Sequence, residues 1–439
     1  MSVRTKFLRM FLGVILCLAI MGQGAVLVQA AGSVPSESEM VLASSIASMA
    51  SYEDELNLFV CSLMGQAGWQ IQSYEHKVGR AEGRMRLFSK PEAFILAFPG
   101  TERRTDAALD LQIQRVPFGG TTPAEFEAKA KETADGQQPL VHQGFDAYTR
   151  AALFTQALPE AHGQTLGEEI AQHLRTHPDH VLYLTGHSLG GAAATLTAAR
   201  LSDMGVAANQ LQVITFGAPA VGNEAFARAY APRMHLTRYV MDFDPVHAVL
   251  QSFSRNFAQF GDRVAWQKDA KTDRFTHAMT GYMDQAIRHY YADAQRTRLL
   301  LKGQPADGAG VLVAPVRFVL PQALQEDQTL MESVVQDSLT HSHANVHWMN
   351  TDSMHELVQQ AGKLGCAYIL RQQYTATRLR NSKEVQYRIT LEDTLFDSEG
   401  NVLSMQQLST TTYNLTHLEA IWYLQAQARE QRQQFLPVQ

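Results

Sequence analysis

Val181-Leu182-Tyr183-Leu184-Thr185-Gly186-His187-Ser188-Leu189-Gly190-Gly191 decides the fold of this chain. The first five residues are apolar or β-favouring, as in a strand buried within a parallel sheet. The run that follows, Ala192 to Leu201, consists mostly of strong helix formers, and Gly205 is placed to cap its C-terminus. Strand, G-x-S-x-G and helix in that order make the pattern of a nucleophile elbow, with Ser188 at the tip of a sharp turn. Gly186 and Gly190 lack the Cβ atoms that would collide across so tight a bend. Ser188 then stands at a helix N-terminus, where free N–H groups favour negative charge. Three fixed residues match by chance in roughly one chain of seven at this length. The strand before them and the helix after them therefore carry the argument.

Outward from this stretch, strands and helices alternate. Phe94 to Phe98 is a continuous apolar run, read as a central strand ending in the turn Pro99-Gly100-Thr101. Leu211 to Phe216 and Thr237 to Met241 read as further strands, ending at Gly217-Ala218-Pro219 and Asp242-Phe243-Asp244-Pro245. Trp69 to Lys77 and Gly83 to Phe88 alternate as a strand pair. Helices are expected from the opening stretch Val141–Phe145 to about Leu158, from Leu166 to Arg175 and from Met279 to Arg298. The Ser- and Ala-rich stretch Ser36 to Tyr52 is expected to become helical towards Leu63. Such alternation implies a mostly parallel α/β sheet, whose ligands lie at the carboxyl ends of the strands. Thr101, Ser188, Gly217 and Asp244 all fall just past strand ends. Residues 102–140 are polar and irregular, with a helix expected from Ala124 to Thr133, and read either as a lid or as a solvated insertion.

The chain has 439 residues, more than one ordinary domain needs. Apolar residues make up 45%, too many for a disordered chain. A net charge of −6, with no long basic run, gives no sign of nucleic-acid binding. Arg4, Lys6 and Arg9, then the apolar run Met10 to Ile20, then Val28-Gln29-Ala30 read as an export signal over residues 1–30. Export places the protein outside the cell or in a periplasm. An uncleaved anchor is the rival reading, against which Gly22, Gln23 and Gly24 interrupt the apolar run. Beyond the signal only Cys61 and Cys366 remain, too few for a disulfide framework, and both are expected as free buried thiols.

Residues 302–310 read as a linker by composition, dividing a domain over 31–301 from a smaller one over 311–439. The order expected for the second is β-α-β-α-β-β-β-α, with Ser398-Glu399-Gly400-Asn401 as a hairpin turn. No metal site is expected: there is no H-E-x-x-H and no Cys–His cluster, and His341, His343 and His347 read as turn and strand residues. No cofactor is expected either.

Several stretches in order, over about residues 55 to 295, resemble the class 3 lipases, the fungal-type branch of the α/β-hydrolases. Phe98-Pro99-Gly100-Thr101 looks like that family's oxyanion turn, with Pro99 where an Arg is usual. Val141-His142-Gln143-Gly144-Phe145 looks like its V-H-x-G-F helix start, and Thr215-Phe216-Gly217-Ala218-Pro219-Ala220-Val221-Gly222-Asn223 like its T-F-G-x-P-x-V-G-N turn. The resemblance implies an α/β-hydrolase fold with Ser188 as nucleophile, followed along the chain by an acid and a histidine. Asp244, six residues after Arg238, matches the family's spacing for the acid. Asp242 is its rival, and strand periodicity does not separate two residues on one face. His277, just before the closing helix, is the base by the same resemblance, and Tyr282 five residues on also fits. His247 is only three residues from Asp244, and His289 is expected in mid-helix. The oxyanion hole implied is the Leu189 and Thr101 N–H groups, each such donor worth roughly 3 to 4 kcal/mol. Ala361-Gly362-Lys363-Leu364-Gly365-Cys366-Ala367-Tyr368-Ile369-Leu370, with the strand pair joined through Asp397-Ser398-Glu399-Gly400, resembles the small α/β domains of bacterial envelope lipoproteins and assembly factors, and the resemblance implies an envelope partner for the second domain.

The leading expectation is an exported serine ester hydrolase acting on lipid esters, such as triacylglycerol or phospholipid, with contact to a lipid surface through residues 102–140. An esterase for soluble or polysaccharide-linked acyl esters is the second reading. A non-catalytic envelope-binding protein on the same scaffold is the third, and the set Thr101, Ser188, Asp244 and His277 argues against it.

Overall fold

The computed structural model describes residues 35–435 apart from 53–54, 79–80, 92, 101–113, 159–162, 243, 247–255, 268–275, 295–309, 344, 381–384 and 433. The expected signal, Thr101, His247 and nearly all of the expected linker lie outside the described residues.

Helices α1 (Glu37–Ala50) and α2 (Glu55–Gln66) precede an antiparallel meander of β1 (Gln70–Val78), β2 (Ala81–Lys90) and β3 (Ala93–Phe98). A ribbon of β4 (Arg115–Pro117) and β5 (Leu140–His142) encloses α3 (Pro123–Ala130). Helices α4 (Gln143–Leu153) and α5 (Leu166–Thr176) lead to β6 (Leu182–His187) and α6 (Leu189–Asp203). Then come β7 (Leu211–Phe216), α7 (Glu224–Tyr230), β8 (His235–Met241), β9 (Asp262–Trp266) and α8 (Met279–Ala292). The remainder is β10 (Gly310–Val313), β11 (Arg317–Val319), α9 (Gln322–Gln325), α10 (Gln328–Ser342), β12 (Val346–Trp348), α11 (Met354–Leu364), β13 (Cys366–Arg378), β14 (Tyr387–Asp397), β15 (Val402–Thr411) and α12 (His417–Arg432).

The first sheet has the order β1-β2-β3-β6-β7-β8-β9, and its strands from β3 onward run parallel. This is the expected α/β-hydrolase arrangement. Register sets Phe98 beside Gly186, Gly186 beside Thr215 and Phe216 beside Tyr239, so the strands end side by side. The smaller second sheet runs β12-β10-β13-β14-β15, with β11 also on β13.

Helix α1 differs from the expectation, since it forms from Glu37 onward and is buried nearly all round. The Ser36 side chain caps it, and its small Ser and Ala side chains let it lie close against the sheet. Of its buried hydroxyls, Ser45 donates to the Leu42 carbonyl and Ser38 to Asp293, whereas those of Ser44 and Ser48 have no hydrogen-bond partner among the described residues. Strand β9 and helix α7 were not expected, and α4 stops at Leu153, five residues short of the expected end. Strand β9 has a mostly exposed face, so it lacks the apolar run that marks its central neighbours.

Helices α4, α5 and α6 cover one face of the first sheet, around Phe145, Leu174, Leu184 and Leu196. The other face lies under α1 and α8, around Val41, Ile46, Tyr282 and Ile287. Each such side chain contributes about 1.5–3 kcal/mol when fully buried. That second cluster continues into Met331 and Val335 of α10, Leu370 and Tyr374 of β13, and Leu418 and Ile421 of α12. Phe59 and Tyr423 meet edge to face at 5.5 Å. Asp327 accepts from Arg288 at 2.7 Å and lies 2.6 Å from His417 Nε2. A domain boundary at 302–310 is a proposal, and across it the two halves share one core.

Part of the 102–140 segment is anchored. Arg200, fully buried, donates to the Gly119 carbonyl and to Asp146, and its guanidinium stacks on Phe118 and Phe126. Cys61 and Cys366 are free thiols; Cys61 is half-buried beside Arg86 rather than fully buried. Among the described residues no helix is long and apolar enough to cross a membrane.

Candidate active site

The chain turns sharply where β6 meets α6. Ser188 has φ 56° and ψ −122°, and among the described residues it is the only non-glycine with positive φ. A non-glycine held there costs about 1–3 kcal/mol, which the surroundings must outweigh. They do so by close approach. A Cβ on Gly186 would lie 2.2 Å from the Gly190 carbonyl carbon, and one on Gly190 would lie 2.1 Å from the Phe98 carbonyl oxygen. The Ser188 N–H donates to the Phe216 carbonyl at 2.9 Å, which ties the turn to the neighbouring strand. Although Ser188 occupies the N-cap position of α6, its side chain makes no cap hydrogen bond. The hydroxyl is thereby left for another partner.

That partner is His277, whose Nε2 lies 3.1 Å from Ser188 Oγ. Its Nδ1 lies 2.9 Å from Asp244 Oδ2. A carboxylate only accepts, so Nδ1 carries the proton and Nε2 presents a lone pair to the serine hydroxyl. Asp244 is buried, past the end of β8, and its Oδ1 accepts from the Val246 N–H at 2.9 Å. Tyr282 donates to Oδ2 at 2.5 Å and accepts from the Met241 N–H at 3.1 Å. Burial alone would raise the Asp244 pKa. The hydrogen bonds and charge from His277, then the Tyr282 hydroxyl, hold it below the ordinary value. Burial and the adjacent carboxylate push the Tyr282 phenol well above its ordinary value, so it remains a donor. Gly217, at φ 57°, makes room for this group, since a Cβ there would lie 2.7 Å from Asp244 Oδ2.

Ser188, Asp244 and His277, singled out in the sequence, are thus brought together. Leu189 opens α6, where its N–H is one of the orphan donors of a helix start. Thr101 lies outside the described residues. Asp242 spends its backbone N–H on the Trp266 carbonyl, and Asp244 is the carboxylate that meets His277. His289 sits in α8, its ring 6.4 Å from that of Trp266. His187 packs beside the elbow, with its ring 4.6 Å from His277 and its Nδ1 2.6 Å from Tyr52 Oη. Sequence reasoning missed Tyr52. It follows α1, and no motif around it marks a side chain that packs between the elbow and the turn at Gly100.

In chemical terms the arrangement can activate a hydroxyl. Removal of the serine proton by Nε2 creates an imidazolium beside a buried carboxylate, and the N-terminus of α6 faces the developing oxyanion.

A family model described as Lipase (class 3) matches residues 95–253. Lipase ZK262.3 of Caenorhabditis elegans is 54% identical over 50 residues, 11% of this chain and 14% of its own length. Phospholipase A1-II 1 of Oryza sativa subsp. indica is 30% identical over 194 residues, 41% of this chain and 45% of its own length. The chain thus spans less than half the length of these curated relatives. Among solved structures, lipase II from Rhizopus niveus is similar with a TM-score of 0.38 and 21% identity, over 52% of this chain and 79% of that one.

Proposed function

Because residues 95–253 belong to the class 3 lipase family, we propose that this chain hydrolyses lipid carboxylic esters through an acyl-enzyme on Ser188. The observation that carries the reading is the unbroken line of hydrogen bonds from Asp244 through His277 to Ser188. His277 takes the serine proton as Oγ attacks the ester carbonyl. The tetrahedral oxyanion is held by the Leu189 N–H, with Thr101 as the second donor. His277 then passes the proton to the departing alcohol as the C–O bond breaks. Water, deprotonated by the same nitrogen, attacks the acyl-serine and releases the fatty acid. Throughout, Asp244 orients the ring and balances its charge.

A glycerolipid is the substrate class, phospholipid or acylglycerol, in keeping with the phospholipase A1 name of one relative. The protein is exported by the signal over residues 1–30. Contact with the lipid surface falls to the part of the 102–140 segment that Arg200 does not anchor. Residues 311–439 brace α8, and they locate the enzyme at the envelope through a partner there.

The test is a substrate panel run with wild type and Ser188→Ala. Emulsified triacylglycerol, phospholipid vesicles, soluble short-chain esters and acetylated polysaccharide are the arms. The proposal expects lipid esters to be cleaved far faster than the other two, and every activity to vanish in the alanine variant. Preference for the polysaccharide would favour the esterase reading, and inactivity on all arms would favour the non-catalytic scaffold.

A further inference from the structure

Away from the elbow, the end of α5 carries three histidines. His173 lies in its last turn, His177 caps its C-terminus and His180 follows one turn later. Positions i, i+4 and i+7 share one side of a helix, and the closing turn keeps them together. His173 Nε2 and His180 Nδ1 lie 3.0 Å apart, and one ligand atom from each of the three lies within 4.8 Å of the others. The rings of His173 and His177 stack at 4.3 Å, those of His177 and His180 at 4.9 Å.

Partners around the trio aim it. His177 Nδ1 donates to the His173 carbonyl at 2.9 Å, which leaves Nε2 as its ligand atom. Gln210, buried, donates through Nε2 to the carbonyls of Leu174, His177 and His180, at 2.8, 3.0 and 3.0 Å. One amide thus pins the backbone on which two of the three histidines stand. Phe94 closes one side, 5.4 Å from the His173 ring and 5.6 Å from that of His180. His177 is exposed, so the opposite side opens to solvent.

We propose that His173, His177 and His180 bind one borderline divalent transition-metal ion, Zn²⁺ above all, through three imidazole nitrogens and a water. Two nitrogens on a tetrahedral Zn²⁺ at about 2.0–2.1 Å lie about 3.3 Å apart, close to the 3.0 Å between His173 Nε2 and His180 Nδ1, and the exposed His177 ring would bring its nitrogen in from within 4.8 Å. An all-imidazole set suits Zn²⁺, Co²⁺, Ni²⁺ or Cu²⁺ and disfavours Ca²⁺ and Mg²⁺, which take oxygen. The ion would clip the end of α5 to the start of β6. This place is distinct from the elbow. Phe94 and its neighbour Leu182 stand at the amino ends of their strands, whereas Ser188 follows the carboxyl end of β6. The six residues of β6 span about 20 Å at roughly 3.3 Å each. The ion would thus lie apart from the ester chemistry, and it bears on stability by joining the end of α5 to the start of β6.

The experiment uses the full chain without an affinity tag, stripped with a chelator. Zn²⁺ is titrated by calorimetry, Co²⁺ is added with its visible bands recorded, and melting is followed with and without Zn²⁺. The proposal expects a single ion per chain, tetrahedral Co²⁺ bands and a melting temperature raised by Zn²⁺. His177→Ala, at an exposed position, should fold and lose affinity beyond the roughly 10–100-fold typical of an outer partner. The pair His173→Asn and His180→Asn should abolish binding. A phosphonate aimed at Ser188 should react at the wild-type rate in His177→Ala. No stoichiometric binding would overturn the proposal and leave a His–His hydrogen bond as the whole content of the cluster. Binding unchanged in His177→Ala and in the double variant would overturn it too, by placing the ion on other histidines.

Discussion

At the carboxyl end of the central sheet, His277 stands between a buried carboxylate at 2.9 Å and a hydroxyl at 3.1 Å. At the amino end, His173, His177 and His180 face one another. There burial, then the charges its two neighbours would carry, pushes the His173 pKa down to about 4. His417 adds a third case: it lies 2.6 Å from the Asp327 carboxylate, while Arg288 bonds both oxygens of that same carboxylate. The same ring is present in all three, and what its two nitrogens meet decides what it can do. A carboxylate on one side and a hydroxyl on the other make a base. Neighbouring imidazoles make a ligand set. A carboxylate shared with a guanidinium makes a clamp between the two halves of the chain.

The comparison breaks first at Ser188. If the hydroxyl is what sets His277 apart, Ser188→Ala should cost about 10⁶-fold in turnover on a lipid ester, the scale seen when a triad nucleophile is lost. Melting should be nearly unchanged, which circular dichroism would check. The carboxylate comes next. Asp244→Asn should cost about 10⁴-fold by letting the ring adopt the wrong tautomer, and steady-state kinetics should find Asp242→Asn within about tenfold of wild type, a loss of no more than about 1.4 kcal/mol in the barrier. Equal losses in the two variants would remove the distinction drawn between them.

Smaller effects sharpen the contrast. Tyr282→Phe removes a donor to Asp244 and the acceptor of the Met241 N–H. It should destabilise by about 1.5–3 kcal/mol, as expected for a hydrogen bond to a charged group, and urea titration would read that loss. The catalytic loss should be much less than that of Asp244→Asn. At the clamp, burial would raise the Asp327 pKa, but the hydrogen bonds of His417 and Arg288 hold it well below the usual carboxylate range. A carboxyl whose folded pKa is depressed adds stability that is present above its unfolded value, about 3.9, and lost as pH falls below it. The melting temperature should therefore drop below about pH 4, and by less in Asp327→Asn than in wild type.

How much of this was legible depended on whether the signal was local. The strand Leu182–His187, the elbow and the Ala-rich helix all lie within one short stretch, and each follows from propensity and from glycine sterics. The order of motifs pointed to His277, and the spacing from Arg238 favoured Asp244 over Asp242 where strand periodicity could not separate them; in the structure Asp244 is the one that meets His277. Tyr52 had no motif, and its contact with His187 crosses 135 residues. Helix α1 was hidden for a different reason: small polar residues read as surface, whereas here they let a helix lie against a sheet. The shared core was illegible because an apolar face does not reveal from sequence which half of the chain will cover it. The trio at 173, 177 and 180 matches no named metal motif, and its sequence signal is the helical spacing i, i+4, i+7 alone.

The central claim is that Ser188, activated by His277, attacks the ester. Treatment of the full chain with a fluorophosphonate, followed by digestion and mass spectrometry, tests it most directly, since that reagent reacts with an activated serine. One adduct is expected, on Ser188, formed far more slowly in His277→Ala and absent in Ser188→Ala. An adduct on a different serine, or full ester turnover in Ser188→Ala with no labelling of Ser188 in wild type, would contradict it.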